Sequence, residues 1–140
     1  MRQILLFAAL AASLALLSGC ALSKAKADTA EDMTGKAAYQ KISAEEAYEM
    51  MASQEVVVVD VRTREEYDGG HIENAVLVPN ESIDSEMPEA LPDKEATLLV
   101  YCRSGRRSKD AAQKLLALGY QSVYDFGGVI DWPYELVKEG

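Results

Sequence analysis

Apolar residues follow one another in short runs along the chain, and amphipathic segments separate the runs. The run at 56–61 contains four consecutive valines, and the run at 97–101 reads Thr-Leu-Leu-Val-Tyr. Such β-branched and aliphatic runs are typical of strands buried on both faces, as in parallel sheets. Strands are predicted at 41–43, 56–61, 75–79, 97–101 and 121–124, and helices at 44–53, 64–67, 108–118 and 129–137. This alternation predicts an α/β fold with a mainly parallel five-stranded sheet and helices on both faces.

Local signals mark the ends of several predicted elements. A Ser-x-x-Glu pattern at Ser43 and a Thr-x-x-Glu pattern at Thr63 are capping boxes, which predict that helices begin directly after them. Gly119 is predicted as the C-terminal cap of the helix that precedes it, and Gly127–Gly128 as a turn. Residues 80–92 are rich in acids and predict a loop with at most one helical turn.

The first 40 residues differ in composition from the rest of the chain. Arg2, the apolar stretch 4–17 and the sequence Leu-Ser-Gly-Cys ending at Cys20 resemble a bacterial lipoprotein signal peptide. That resemblance implies that 1–19 is removed and that Cys20 carries the lipid of an exported, membrane-anchored protein, on the periplasmic or outer face of the envelope. An ordinary secretory signal with an incidental cysteine is the alternative. Residues 20–40 are small and polar and are predicted to be a flexible tether to a domain at 41–140.

The charge of the chain excludes some partners. The formal net charge is −9, and removal of residues 1–19 takes away Arg2 and no acid, which makes it −10. Such a surface disfavours nucleic acid and anionic lipid headgroups, so any membrane attachment is expected to come from the lipid. Against this acidic background, Arg103, Arg106 and Arg107 predict a local electropositive site.

One cysteine has the surroundings of a nucleophile. Cys102 lies between a predicted strand and a predicted helix, where unpaired backbone N–H groups favour an anion and lower a thiol pKa. We expect Cys102 to be catalytic and the residues that follow it, Arg103, Ser104, Gly105, Arg106 and Arg107, to bind a small anionic substrate. If Cys20 is lipidated, Cys102 is the only free thiol, which argues against dithiol chemistry. With one histidine and no Cys/His cluster, the sequence predicts no metal site and no cofactor.

Three other polar residues are predicted to support the site rather than to react. Asp60 and Arg62 end the valine-rich strand, and their charges are expected to pair near the carboxyl edge of the sheet. His71 follows Gly70 in a predicted turn, a position more typical of a hydrogen-bonded scaffold histidine than of a general base.

These stretches together resemble the rhodanese-like family of single-domain sulfurtransferases. The resemblance is carried by DVRTREEY at 60–67, by GHIENA at 70–75 with Pro79, and by YCRSGRRS at 101–108. A glycine–tyrosine pair at 119–120, the glycines at 127–128 and Trp132 are similar to the family's ending, although Phe126 stands where many members have a leucine-containing pair.

The resemblance implies the rhodanese fold and sulfane-sulfur transfer. Cys102 would attack the outer sulfur of thiosulfate, release sulfite and hold a persulfide, and cyanide, a small thiol or a protein cysteine would accept the sulfur. Neither metal nor organic cofactor is implied.

Two other functions remain open from the sequence. A phosphatase or arsenate reductase also holds an oxyanion around a cysteine, but its C-x5-R loop needs an arginine six positions later. Ser108 occupies that position and Arg107 falls one residue short, so the spacing favours sulfur over phosphate. The second alternative is a domain without turnover that carries persulfide sulfur or serves as an interaction module.

Overall fold

A computed structural model describes residues 37–138 of the 140-residue chain. The predicted signal peptide at 1–19, Cys20 and most of the predicted tether lie outside the described residues. Within them, none of the helices is long and apolar enough to span a bilayer.

The strands and helices alternate as the hydrophobic pattern predicts. The strands are β1 (Gln40–Lys41), β2 (Val57–Asp60), β3 (Val76–Leu77), β4 (Thr97–Cys102) and β5 (Ser122–Gly128). The helices are α1 (Ala44–Ser53), α2 (Arg64–Asp68) and α3 (Arg106–Ala117), with 3₁₀ turns at Asn80–Ser82 and Val129–Asp131. Within residues 37–138 the five strands form one parallel sheet in the order β1-β5-β4-β2-β3, which confirms the predicted fold class.

Alternate residues of the central strands pack against opposite layers. Val59 of β2 and Val100 of β4 contact one core, which includes the inner face of α3, while Val58 and Leu99 contact another, which includes Ala47 of α1. A central strand therefore buries both of its faces, which explains why β2 and β4 are continuous apolar runs without polar alternation.

Both predicted capping boxes are present. Ser43 Oγ accepts from Glu46 N at 3.1 Å while Ser43 N donates to the Glu46 carboxylate at 2.7 Å. The same reciprocal pair joins Thr63 and Glu66 at the start of α2. These contacts lie within four residues of chain, so the sequence pattern alone suffices to place the starts of α1 and α2.

Three boundary predictions are wrong in informative ways. The helix predicted from Ser108 begins at Arg106, so Arg106 and Arg107 lie in its first turn. Gly127–Gly128 is not a turn but the end of β5, because a bulge after Val100 shifts the register and pairs these glycines with β4.

The predicted helix at 129–137 is absent beyond the 3₁₀ turn Val129–Asp131. Pro133 has no N–H to donate and disfavours helical backbone at the residue before it, and Trp132 is extended with ψ 113°. The chain instead pairs in antiparallel fashion with His71: His71 N donates to Val137 O at 2.9 Å and Val137 N to His71 O at 2.8 Å.

Candidate active site

The loop between β4 and α3 lies at the carboxyl edge of the sheet and carries Cys102. Residues 103–105 connect the last residue of the strand to the first residue of the helix. Gly105 has φ +95°, a left-handed conformation that a residue with a side chain adopts only with strain. This turn aims the Gly105 N–H at Cys102 Sγ, at 3.0 Å. Ligands of open α/β sheets bind at this edge, and Cys102 lies there as the sequence predicts.

The Cys102 thiol is buried, with 1% of the residue exposed. Burial raises its pKa, but the contacts of the sulfur with the N–H group and the side chain of Ser108, and with the N–H groups of Gly105 and Ser104, outweigh burial and hold the pKa below its ordinary value. These N–H groups belong to the loop and to the first turn of α3. N–H groups at the start of a helix have no carbonyl partner within the helix, so they are free to bind an anion. The site is therefore built to stabilise negative charge on sulfur.

The three arginines do not converge on one point. Arg107 makes a bidentate ion pair with Glu66 of α2, with both nitrogen–oxygen distances at 2.8 Å. This pairing raises the pKa of Arg107 and lowers the pKa of Glu66 to about 2. Arg106 lies on the exposed side of the α3 start, and the backbone carbonyl of Arg103 accepts from Ile130 N at 3.2 Å. Part of the predicted positive charge is thus balanced by an acid that the sequence analysis assigned only to a helix cap.

A polar cavity of about 660 Å³ opens beside the loop. It is lined by Asn80, Glu81, Ser104, Arg106, Arg107 and Asp110. Ser104, Arg106 and Arg107 are predicted from the sequence as binding residues and the other three are not, while Arg103, also predicted, is not among the lining residues. Asn80 directly follows the loop after β3, so the rule that parallel strands end at one edge could have placed it there.

Hydrogen bonds order the newly found residues of the cavity wall. Asn80 Nδ2 donates to Asp110 Oδ2 at 3.0 Å, and Lys114 Nζ donates to Asn80 O at 3.1 Å. The wall therefore carries both signs of charge, with Glu81 and Asp110 facing the same space as the two arginines.

The predicted supporting residues lie behind the loop and do not line the cavity. Arg62 Nη2 lies 2.6 Å from Asp60 Oδ2 and also donates to Gly70 O at 2.8 Å. Tyr101, which the sequence analysis did not single out, donates its hydroxyl to Asp60 at 2.6 Å. Both members of the ion pair are buried, so they act as a fixed brace between β2, β4 and the chain after α2.

His71 is held by its own neighbours. Its Nδ1 lies 2.9 Å from the carbonyl of Tyr67, and its ring stacks on the Tyr67 ring at 3.6 Å. These contacts fix the position of the ring. Among residues 37–138 no three histidine, cysteine or acidic side chains come together as a candidate metal site.

Comparison with known proteins agrees with this geometry. The chain matches the family model described as the rhodanese-like domain over residues 43–133. The chain belongs to the rhodanese-like domain family. The matched segment contains the four strands β2 to β5 and the whole Cys102 loop.

Curated relatives of the rhodanese-like domain include longer proteins. The tRNA uridine(34) hydroxylases of Hamiltonella defensa and Yersinia pestis are 35% and 31% identical to it, over 113 and 104 residues. The matches cover 76% and 71% of this chain but only 32% and 29% of those proteins. The chain thus spans about a third of the length of these relatives.

Solved structures of single domains align over more of their length. A rhodanese from E. coli, solved with anions, is 34% identical with a TM-score of 0.55, and the match covers 61% of this chain and 100% of that one. A rhodanese-like domain protein from Staphylococcus aureus is 31% identical with a TM-score of 0.62, covering 72% and 99%. A human single-domain sulfurtransferase is 27% identical with a TM-score of 0.60, covering 66% and 93%.

The Glu66–Arg107 pair predicts a pH dependence of stability for the rhodanese-like domain. The pKa of Glu66 is about 2 in the folded chain, below its ordinary value of 4.5. The stability that Glu66 contributes is therefore complete above about 4.5 and is lost as the pH falls toward about 2. We expect Glu66→Gln to be less stable than wild type at neutral pH, with the difference shrinking across this range. Urea unfolding at a series of pH values measures it.

Glu65→Gln is the matched control for this experiment. Glu65 is the exposed neighbour on α2, and the same charge is removed without touching Arg107. Glutamine at position 66 retains the capping function of the helix start. A constant stability difference between Glu66→Gln and wild type across the acid range would contradict the prediction.

Proposed function

We propose that this rhodanese-like domain is a sulfurtransferase that carries sulfane sulfur as a persulfide on Cys102. The observation that carries the proposal is the Cys102 sulfur, held 3.0 Å from the Gly105 N–H at the start of α3 with a lowered thiol pKa. Sulfur transfer needs a thiolate as nucleophile and a site that tolerates negative charge on sulfur afterwards. The loop supplies both without any further group.

The donor proposed is thiosulfate or a persulfide. The Cys102 thiolate attacks the outer sulfur of thiosulfate, the sulfur–sulfur bond of the donor breaks, and sulfite leaves with the bonding electron pair. The product is a persulfide anion, whose charge the N–H groups of the loop stabilise without reorganisation. Arg106 and Arg107 line the cavity through which the donor would approach, and they offer charge and paired donors to its oxygens.

The acceptor proposed is cyanide, a small thiol or the cysteine of a partner protein. The acceptor attacks the outer sulfur of the persulfide, and Cys102 leaves as the thiolate that began the cycle. A thiolate with a lowered pKa is a good leaving group, so the same hydrogen bonds serve both half-reactions.

The name of the curated relatives does not extend easily to this chain. Those relatives are named for hydroxylation of a tRNA uridine, and the chain spans about a third of their length. Its net charge of −9 opposes the phosphate contacts on which nucleic-acid affinity depends. We therefore propose sulfur transfer to a small or protein acceptor and no nucleic-acid substrate.

Two measurements on the purified wild-type protein test the function. Thiosulfate and cyanide should yield thiocyanate, and mass spectrometry after thiosulfate alone should find about 32 Da, one sulfur atom, added to Cys102 and removed again by cyanide. Absence of both would refute the proposal. The adduct without turnover by any acceptor would leave only a sulfur carrier, and hydrolysis of a phosphate ester in parallel would instead favour the phosphatase alternative.

We further propose that Cys20 is lipidated and anchors the domain to a membrane, with 1–19 as signal peptide and 20–40 as tether. The support is the sequence pattern around Leu17 to Cys20. Cys20→Ala should move the protein from the membrane fraction to the soluble fraction on cell fractionation. Unchanged partitioning would show that the anchor is not this lipid.

A further inference from the structure

A buried carboxylate lies directly behind the active-site loop. Asp125 of β5 is 1% exposed, and its two carboxylate oxygens have different hydrogen-bond partners. Oδ2 accepts from the Tyr39 hydroxyl at 2.6 Å and lies 3.3 Å from Lys41 Nζ. Oδ1 accepts from Gly127 N at 2.9 Å and from Ser108 Oγ at 2.7 Å. The sequence pattern predicts a strand that ends at residue 124 and no role for Asp125.

Ser108 connects this carboxylate to the reactive sulfur. Its Oγ is 3.7 Å from Cys102 Sγ and 2.7 Å from Asp125 Oδ1. Its remaining oxygen neighbours are the carbonyls of Gly105 at 3.1 Å and Gly127 at 3.3 Å, which only accept. A hydroxyl has one proton to donate, and the shortest and charge-assisted contact is the one to Asp125.

The direction of the hydrogen bond between Ser108 and Asp125 decides whether Cys102 Sγ faces a proton donor or lone pairs. When Ser108 donates to Asp125, it turns its lone pairs toward Cys102. A neutral thiol can donate its proton to Ser108 Oγ. A thiolate finds no donor there, and the negative charge of Asp125 lies on the far side of the same oxygen. The N–H groups of the loop and the positive charge of Arg107 act in the opposite sense, and the Ser108 hydroxyl would do so too if its proton pointed at the sulfur. The shorter contact, 2.7 Å to Asp125 against 3.7 Å to Cys102, directs that proton to the carboxylate instead.

We propose that Asp125 is a positioning residue that acts through Ser108 to disfavour negative charge on Cys102 Sγ and so to favour the sulfur-loaded state. In the persulfide, the charge resides on the outer sulfur, about 2 Å from Sγ. Sγ is then a neutral, two-bonded sulfur that the lone pairs of Ser108 no longer oppose. Asp125 thus raises the free energy of the empty thiolate relative to the loaded form. This inference rests on the proposed function, since it concerns the same sulfur.

The test uses the ionisation of Cys102, which requires no sulfur transfer. In the full-length protein, the rate of alkylation of Cys102 by iodoacetamide is followed against pH by peptide mass spectrometry, and its midpoint reports the thiol pKa. Asp125→Asn keeps the shape and an acceptor for Ser108 but removes the charge. We expect the midpoint to fall by about one pH unit. An unchanged or raised midpoint in a folded variant would overturn the proposal.

Tyr39→Phe is the matched control. It removes one hydrogen bond from the same carboxylate on Oδ2, the side away from Ser108. A purely structural role of Asp125 predicts that both variants lower the thermal unfolding midpoint and leave the alkylation midpoint alone. The proposal predicts that Asp125→Asn alone shifts the alkylation midpoint.

Ser108→Ala covers the case in which Asp125→Asn does not fold. If the serine proton belongs to Asp125, loss of the hydroxyl removes an acceptor of the thiol proton and the midpoint falls. If the hydroxyl instead donates to the thiolate, the midpoint rises and the proposal is wrong. In the Ser108→Ala background, Asp125→Asn should shift the midpoint less than it does alone. A wild-type protein that loads no sulfur would refute the proposed function but would leave these readouts intact.

Discussion

Replacing Cys102 by serine is expected to abolish sulfur transfer and to leave the fold in place. Serine differs by one atom, and the N–H groups that point at Sγ can donate to a hydroxyl oxygen just as well. A hydroxyl in this site is not ionised near neutral pH and cannot form a persulfide, so turnover should fall by at least about 10³-fold. Thiocyanate formation from thiosulfate and cyanide measures the loss, and circular dichroism with thermal unfolding verifies the fold.

The chain offers its own control for this substitution. Cys20→Ser makes the same replacement at the second cysteine of the sequence and should keep the activity of the purified protein. Activity that survives in Cys102→Ser and disappears in Cys20→Ser would place the reactive thiol at Cys20 and refute the assignment to Cys102.

Gly128→Ala is expected to displace the backbone of the Cys102 loop, because Gly128 of β5 lies directly against it. Gly128 pairs with Cys102 across β4 and β5, and its backbone at φ −117° is open to any residue. The obstacle is space. A Cβ at this position would overlap the carbonyl oxygen of Arg103 and lie 2.6 Å from Ser104 Cα, and both are backbone atoms that no rotamer change can move away.

The backbone of the loop must therefore shift to admit one methyl group. We expect a stability loss of about 1–3 kcal/mol, typical of an overpacked site. We also expect turnover to fall by about 10²-fold, because displacement of a nucleophile by an ångström has this effect on an enzyme. Urea unfolding and the thiocyanate assay measure the two quantities separately.

Gly69→Ala is the matched control for Gly128→Ala. Gly69 ends α2 with φ −68°, and a Cβ there would meet only the carbonyls of Glu65 and Glu66, at 3.4 and 3.5 Å. Its stability should change by less than about 0.5 kcal/mol and its activity not at all. Wild-type behaviour of Gly128→Ala would mean that the loop backbone shifts at no cost, and the prediction would be wrong.

The elements that the sequence predicts best are those defined by neighbouring residues. The capping boxes at Ser43 and Thr63 place α1 and α2, and the valine run identifies β2 as a strand between two layers. Each of these signals lies within a few positions of the element that it defines. The location of Cys102 follows in the same way, from an apolar run that ends at a glycine-containing loop.

The errors concern residues whose structure depends on distant partners. Strand β5 continues to Gly128 because a bulge aligns Gly127 and Gly128 with β4, and the chain after Asp131 is not helical but leads to Val137, which pairs with His71. Neither partner can be read from the local pattern. The pairing of Arg107 with Glu66 and that of Ser108 with Asp125 were missed for the same reason, since both join separate elements.

The contacts of the edge strand β1 depend on the order in which the chain is synthesised. Its only strand partner in the described sheet is β5, and the hydrogen bond from Tyr39 to Asp125 joins residues 86 positions apart. Strand β5 is made last, so this contact can form only when nearly the whole domain has left the ribosome. Contacts this distant in sequence raise the contact order of a domain and slow its folding. The carboxylate behind Cys102 therefore acquires its Tyr39 and Lys41 partners only when the first strand of the domain meets the last.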